Sequence, residues 1–304
     1  MKLLITGATG LVGRAIVEFS NRQEIPVNYL TTSREKIITN ENFQGFYWNP
    51  SQNEIDLACF EGVTAIINLA GATIAQRWTA DNKNKILYSR LDSLKTLGYA
   101  LGKIDTSAIT SLVSASAVGI YPNSIDHLYS EEDDMVDDSF LGEVVEKWEK
   151  EIDTLAHYGF PVAKVRIGLV LSKDDGVMPK LAKPIKYYVG AAFGNGKQWQ
   201  SWIHISDLAR LFMFVAQNQM EGTYNGVAPN PIIQKKLVCE LAKILKAPLL
   251  LPNIPRFAMQ LILGEMSYLL YASQRVSSKK IAEEGFLFEY PNIGNALQFF
   301  YKGE

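Results

Sequence analysis

Three glycines stand at a spacing that suits phosphate chemistry: Gly7, Gly10 and Gly13, within Gly7-Ala8-Thr9-Gly10-Leu11-Val12-Gly13. The preceding residues, Lys2 to Thr6, are mostly apolar and read as a buried strand, and Leu11 to Asn21 reads as an amphipathic helix. A strand, a glycine turn and a helix form a site for a dinucleotide. Gly7 permits the tight turn, Gly10 lets the main chain approach a pyrophosphate, and Gly13 lets the helix lie flat on the strand. The free N–H groups at the helix start, around Thr9, Leu11 and Val12, then hold the phosphates, helped by the positive end of the helix dipole.

The second chemical signal is at the end of the next strand, Thr31-Thr32-Ser33-Arg34-Glu35. A protein that prefers NAD places an acid at this strand tip to bind the ribose hydroxyls. No acid stands at the tip here. The planar guanidinium of Arg34 can grip two oxygens of a 2′-phosphate, and Ser33 can donate a further bond. The expected cofactor is therefore NADP(H). The acidic run Glu131-Glu132-Asp133-Asp134 lacks partners at ligand spacing, so it reads as a solvated loop and no metal is expected. Cys59 and Cys239 are isolated among apolar neighbours and read as small buried hydrophobes.

The elements that must position these residues follow from the hydrophobic pattern. With 304 residues, 47% of them hydrophobic, the chain can bury a large core. Its net charge of −2 argues against nucleic acid and an anionic membrane as partners. Phe257 to Tyr271 is apolar but interrupted by Gly264 and Glu265, and is too short to span a bilayer. Met1 runs straight into the first strand, so no targeting segment is expected and a reducing cytoplasm fits.

Further strands are expected at Val27–Thr31, Phe46–Trp48, Ala65–Gly71, Ser111–Ser116 and Val162–Leu171. Helices are expected over about 81–103 and 140–157. This alternation predicts an α/β protein with a doubly wound parallel sheet. After Leu171 the rhythm changes. Trp202–Ile205 reads as a strand returning to the sheet, with Ser206 and Asp207 capping the next helix. Helices are expected over about 232–246 and 256–271. We divide the chain into a dinucleotide-binding domain, 1–171 with 201–228 returning to it, and a smaller lobe, 172–200 and 229–304, that closes over the cofactor.

Later motifs narrow the reading. They include Asn68-Leu69-Ala70-Gly71, Arg77-Trp78-Thr79, Ser89-Arg90, Ser114-Ala115-Ser116-Ala117-Val118-Gly119, Lys147-Trp148-Glu149, Arg166-Ile167-Gly168-Leu169-Val170-Leu171, Ser201-Trp202-Ile203-His204 and Tyr224-Asn225-Gly226. Together they resemble the atypical extended short-chain dehydrogenases/reductases of the NAD-dependent (nucleoside-diphosphate-sugar) epimerase family, which carry a C-terminal domain of unknown function. The likeness covers essentially the whole chain. It implies a Rossmann fold and a bound dinucleotide, but no particular substrate. By that likeness Leu69, Ala70 and Gly71 would lie along the cofactor, Arg90 would reach its phosphate or adenosine side, and Arg166 to Leu169, with Gly168, would pass the nicotinamide. His204 and Asp207 would be structural, Asp207 as a helix cap and His204 as its neighbour.

The resemblance also shows what is missing. A short-chain reductase uses a Tyr-x-x-x-Lys pair, whose lysine lowers the tyrosine pKa so that the tyrosine can move a proton. Here the two positions fall near Leu141 and Val145. Ser116 can steady a substrate oxygen, and Tyr121 is the first candidate for a displaced acid, with Tyr187, Tyr188 and Lys147 behind it. Gly190 to Gly196, Trp199 and Trp202 suggest a second pocket beside the nicotinamide. Two functions follow: an NADP(H)-dependent oxidoreductase or epimerase acting on a small, possibly sugar-nucleotide-like substrate with a displaced acid/base, or a non-catalytic NADP(H)-binding or sensing protein. Monomer and homodimer are both open.

Overall fold

The computed structural model describes residues 1–302. Its central sheet has seven parallel strands: β1 (Leu3–Thr6), β2 (Val27–Thr31), β3 (Phe43–Asn49), β4 (Ala65–Asn68), β5 (Ser111–Ala117), β6 (Val162–Ile167) and, far along the chain, a strand at Gly222–Gly226. Their spatial order begins with that last strand and continues β6, β5, β4, β1, β2, β3. Two short antiparallel strands, Thr39–Asn40 and Glu54–Ile55, pair with β3 at the edge. β1 and β4 are buried along their whole length, as strands covered on both faces must be. The register aligns Leu3 with Val27 on one side and with Ala65 on the other, so the carboxyl ends of β1, β2 and β4 finish level. That shared edge is where an open α/β sheet binds its ligands.

Helices α1 (Leu11–Arg22), α2 (Ala80–Leu101) and α3 (Phe140–Asp153) follow β1, β4 and β5. α2 packs against α3, whereas α1 packs against α5 (Ile205–Gln217), so both faces of the sheet are covered. Thr79 and Ser139 cap α2 and α3 by accepting bonds from Asn82 N and Gly142 N. The helix between them in number, α4 (Met178–Lys186), contributes instead to a second apolar cluster with α6 (Gln234–Ile244) and the C-terminal helix Ile293–Lys302.

The structure corrects three expectations. The strand expected at Val162–Leu171 breaks at Gly168. β6 stays in the main sheet, while Leu169–Leu171 (β7) leaves it to pair with Trp202–His204 (β8) in a separate two-stranded sheet. Gly168 makes the departure possible, since a Cβ there would sit 2.3 Å from Ser201 O. The segment that returns to the main sheet is therefore Gly222–Gly226 (β9), paired with β6, and not the tryptophan strand. The helix expected over 256–271 is interrupted as well. It runs Arg256–Leu263, loosens into a 3-10 turn where Gly264 takes φ +62, and resumes at Tyr268–Tyr271.

Candidate cofactor cleft and adjoining cavity

Each glycine of the first turn does a separate job. Gly7 adopts φ +69, and a Cβ on it would meet Leu69 O at 2.9 Å. Gly13 is required by packing: its Cβ would lie 2.3 Å from Gly7 O. Gly10 is different. A Cβ there would meet only Gly7 O, at 3.2 Å, so the protein leaves that side open. Gly10 is also the N-cap of α1 and, having no side chain, leaves the first N–H groups of the helix without a side-chain acceptor. Thr6 completes the turn. Its hydroxyl donates to Asn68 Oδ1 at 2.7 Å and accepts from Leu69 N and Ala70 N, both at 3.0 Å. This ties the tip of β1 to the loop after β4.

Beside the turn lies a cleft of about 560 Å³, lined by Gly7, Thr9, Thr31 to Ser33, Lys36, Ala70 to Ala72, Lys85, Ser89 and Asp92, among others. Ala70 and Gly71 line it, while Leu69 packs against the core, and Leu11 and Val12 are half-buried in the first turn of α1. The open glycine wall and the donors at the start of α1 fit a dinucleotide. Arg34 does not line this cleft. Its guanidinium lies over the Tyr47 ring, 3.9 Å from the centroid, and the cations on the wall are Lys36 and Lys85. A cavity of about 670 Å³ between the outer faces of α1 and α5 is lined by none of the three turn glycines.

A second, smaller cavity of about 190 Å³ opens at the ends of β5 and β6. Its wall includes Ile74, Ala117, Val118, Leu141, Val144, Val145, Trp148, Ile167, Gly168, Leu169 and Trp199, with Gln200, Ser201 and Gln274 as neutral polar groups. Leu141 and Val145, the residues at the Tyr and Lys positions, are both on this wall. Arg90 is its single ionisable side chain. α2 thus turns Tyr88, Ser89 and Asp92 to the cleft and Arg90 to the cavity, where the resemblance implied a reach to the cofactor's phosphate or adenosine side.

Ser116, Tyr121 and Arg166 are brought together, but beneath the cavity and not on its wall. All three are buried, Tyr121 completely. Glu149 accepts from Ser116 Oγ (2.5 Å), Arg166 Nε (2.8 Å) and Arg166 Nη2 (2.9 Å). Arg166 Nη1 donates to the Tyr121 hydroxyl (2.9 Å), which donates to Asn225 Oδ1 (2.8 Å). Burial alone would raise the Glu149 carboxyl, but the Arg166 bonds and charge, the Ser116 hydroxyl and Lys164 hold it below the usual range. Burial pushes the Tyr121 hydroxyl up to about 12 against the pull of Arg166. Neither hydroxyl lines the cavity: Tyr121 donates to Asn225 Oδ1 and Ser116 to Glu149. The expected roles of Ser116 and Tyr121 in catalysis, and of Arg166 beside the nicotinamide, are therefore corrected. These residues form an ionic brace across β5, β6, β9 and α3. Glu149 was visible in sequence only as part of Lys147-Trp148-Glu149. A charged residue on the inner face of an amphipathic helix was the available signal.

The other candidates disperse. Tyr187 and Tyr188 are exposed, and exposed Lys147 pairs with Glu143. Trp199 lines the cavity, but Trp202 is buried in the second cluster, and Gly194 and Gly196 pack on Tyr271 and Lys235. His204 and Asp207 exchange their expected roles. His204 Nδ1 caps α5 by accepting from Ser206 N at 3.1 Å, while Asp207 accepts from Glu289 N and Tyr290 N and pairs with Arg210. Burial lowers the His204 pKa to about 4.

Comparison with known proteins now bears on these sites. The model of the NAD dependent epimerase/dehydratase family matches residues 3–226. The chain belongs to this family. A domain of unknown function (DUF1731) matches residues 254–300. An epimerase family protein of Staphylococcus aureus is 34% identical over 296 residues, covering 97% of each chain. Among solved structures of the family's fold, the human epimerase family protein SDR39U1 with NADPH superposes with a TM-score of 0.85 at 24% identity, over 100% of both chains. A nucleoside-diphosphate sugar epimerase from Corynebacterium glutamicum gives 0.79 at 27% identity, over 100% of this chain and 59% of that one.

Proposed function

We propose that this protein binds NADP(H) and acts as an oxidoreductase on a small molecule, without a Tyr-Lys pair. The observation that carries the reading is the glycine turn: protein packing demands Gly7 and Gly13, but at Gly10 the space is left for something else. In this reading the N–H groups at the start of α1 hold the diphosphate, Ala70 and Gly71 flank the ribose, and Ser33 and Lys36, with Arg34 nearby, favour a 2′-phosphate. When bound, NADPH supplies a hydride. The cavity walls exclude water from the place where it would be delivered, and Ile167 to Leu169 bound that place.

A second reading is favoured by a specific observation. No side chain on the cavity wall can exchange a proton near neutral pH, which suits a protein that binds NADP(H) and catalyses nothing. One experiment separates the two. Purified protein is titrated calorimetrically with NADPH and NADH, then incubated with 4-deuterated NADPH and a metabolite pool analysed by mass spectrometry. Preference for NADPH with deuterium entering a metabolite supports the enzyme. Preference for NADPH with no transfer supports the binding protein. Failure to bind either dinucleotide overturns both.

A further inference from the structure

Arg90 is a cation without a counter-charge. No carboxylate lies within 4 Å of it among the described residues, although Arg166, on the other side of Trp148 in sequence, is fully paired with Glu149. Its position is nonetheless fixed. Nη1 donates to Ile86 O (2.7 Å) and Ala72 O (3.2 Å), and the guanidinium stacks on the Trp148 ring, 4.9 Å from the centroid. Gly71 makes room for it, since a Cβ there would stand 3.1 Å from the guanidinium carbon. Nε and Nη2 find no acceptor among the described residues. Burial lowers its pKa to about 10, which still leaves it charged at neutral pH.

Placing a cation in an apolar cavity is costly unless something anionic meets it. A purely structural arginine would normally be paired within the protein, as Arg166 is. Arg90 lines the cavity and not the cleft, although it abuts Gly71 and Ala72 of the cleft wall. We propose that Arg90 receives the carboxylate of a small apolar acid, which is the substrate class of the cavity. This rests on the reading of the cavity as the substrate side of the site. Val118, Leu141, Val145 and Leu169 hold the apolar body of such an acid, and the planar fork offers two parallel donors to its carboxylate. The volume, about 190 Å³, suits a small acid and is too small for a nucleoside diphosphate sugar unless the walls move.

The test compares phenylacetate, isovalerate and 2-oxoisocaproate, each with its neutral amide. Binding is followed by calorimetry and by the fluorescence of Trp148 and Trp199, with and without saturating NADPH. At least one acid should bind about tenfold or more tightly than its amide, as a charge-assisted bond implies. Arg90→Gln should bring that acid down to the level of the amide while amide and NADPH affinities stay unchanged. Arg90→Lys, which keeps the charge but loses the fork, should fall between, and it carries the test if Arg90→Gln does not fold. Equal binding of every acid and its amide would overturn the proposal. So would an Arg90→Gln variant that loses NADPH affinity and no acid preference, which would assign the cation to the cofactor's phosphates. If the wild type fails to bind NADPH at all, the proposed function falls, but the acid and amide comparison in unloaded protein still reads Arg90 by itself.

Discussion

The cofactor cleft and the cavity beside it are built on opposite principles. The cleft is polar and charged at its rim: beside Gly7 and a loop tied to β1 by Thr6 it carries Ser33, Lys36, Lys85, Ser89 and Asp92. The cavity is made of apolar side chains with one guanidinium on its wall. In the glycine turn, packing constrains Gly7 and Gly13 and leaves Gly10 nearly free. On the side-chain site, Leu141 and Val145, near which the Tyr and Lys positions are expected, present apolar groups to the cavity.

The largest effect is expected from the brace beneath the cavity. Glu149→Ala leaves the buried Arg166 unpaired and should destabilise the fold by about 3–5 kcal/mol, read as a fall in the chemical-denaturation midpoint. The carboxyl of Glu149 is held below its unfolded value, so its contribution is fully present above the unfolded pKa and is lost as pH falls through the folded one. The gap between wild type and Glu149→Gln should accordingly close in acid. A gap unchanged from neutral pH to below the ordinary carboxylate range would break the assignment of the brace.

Next comes the cleft. Gly10→Val should weaken NADPH by about a hundredfold or more, since the side chain enters the space for the diphosphate. The protein should still melt cooperatively, because only one contact at 3.2 Å opposes it. Gly13→Val should instead fail to fold properly, given the 2.3 Å approach. Equal behaviour of the two variants would remove the distinction between a packing glycine and a ligand glycine.

Smaller effects sharpen the choice of cofactor. Lys36→Ala should weaken NADPH by about tenfold and leave NADH nearly unchanged, with Arg34→Ala acting in the same direction but more weakly, because its guanidinium is engaged by Tyr47. Calorimetry in which both dinucleotides weaken together would refute a 2′-phosphate site. The smallest expected effect is a pH dependence that is nearly absent. Any turnover should be flat between about pH 6 and 9, since the one ionisable wall group, Arg90, stays charged throughout. A limb near neutrality would reveal an acid or base that the cavity lacks.

What the sequence determined by itself is local and main-chain in character. The glycine spacing, the doubly apolar strands and the alternation of strand and helix were legible because each depends on residues close together in the chain. That no Tyr-x-x-x-Lys occurs between Ser116 and Leu171 was legible for the same reason. The tertiary structure alone decided which polar side chains face a ligand and which face one another. Ser116 and Tyr121 looked catalytic in sequence, yet Glu149, 33 residues beyond Ser116, draws them inward through Arg166. Arg34 followed the right strand but turned onto Tyr47, and Lys36, two residues later, took the wall. Arg90 lies on the expected helix and lines the cavity, not the cleft. One step along a helix rotates a side chain by about 100°, so neighbouring residues Ser89 and Arg90 serve different sites. Which one serves which is set by where α3 packs against α2, a fact of long-range packing that no local pattern records.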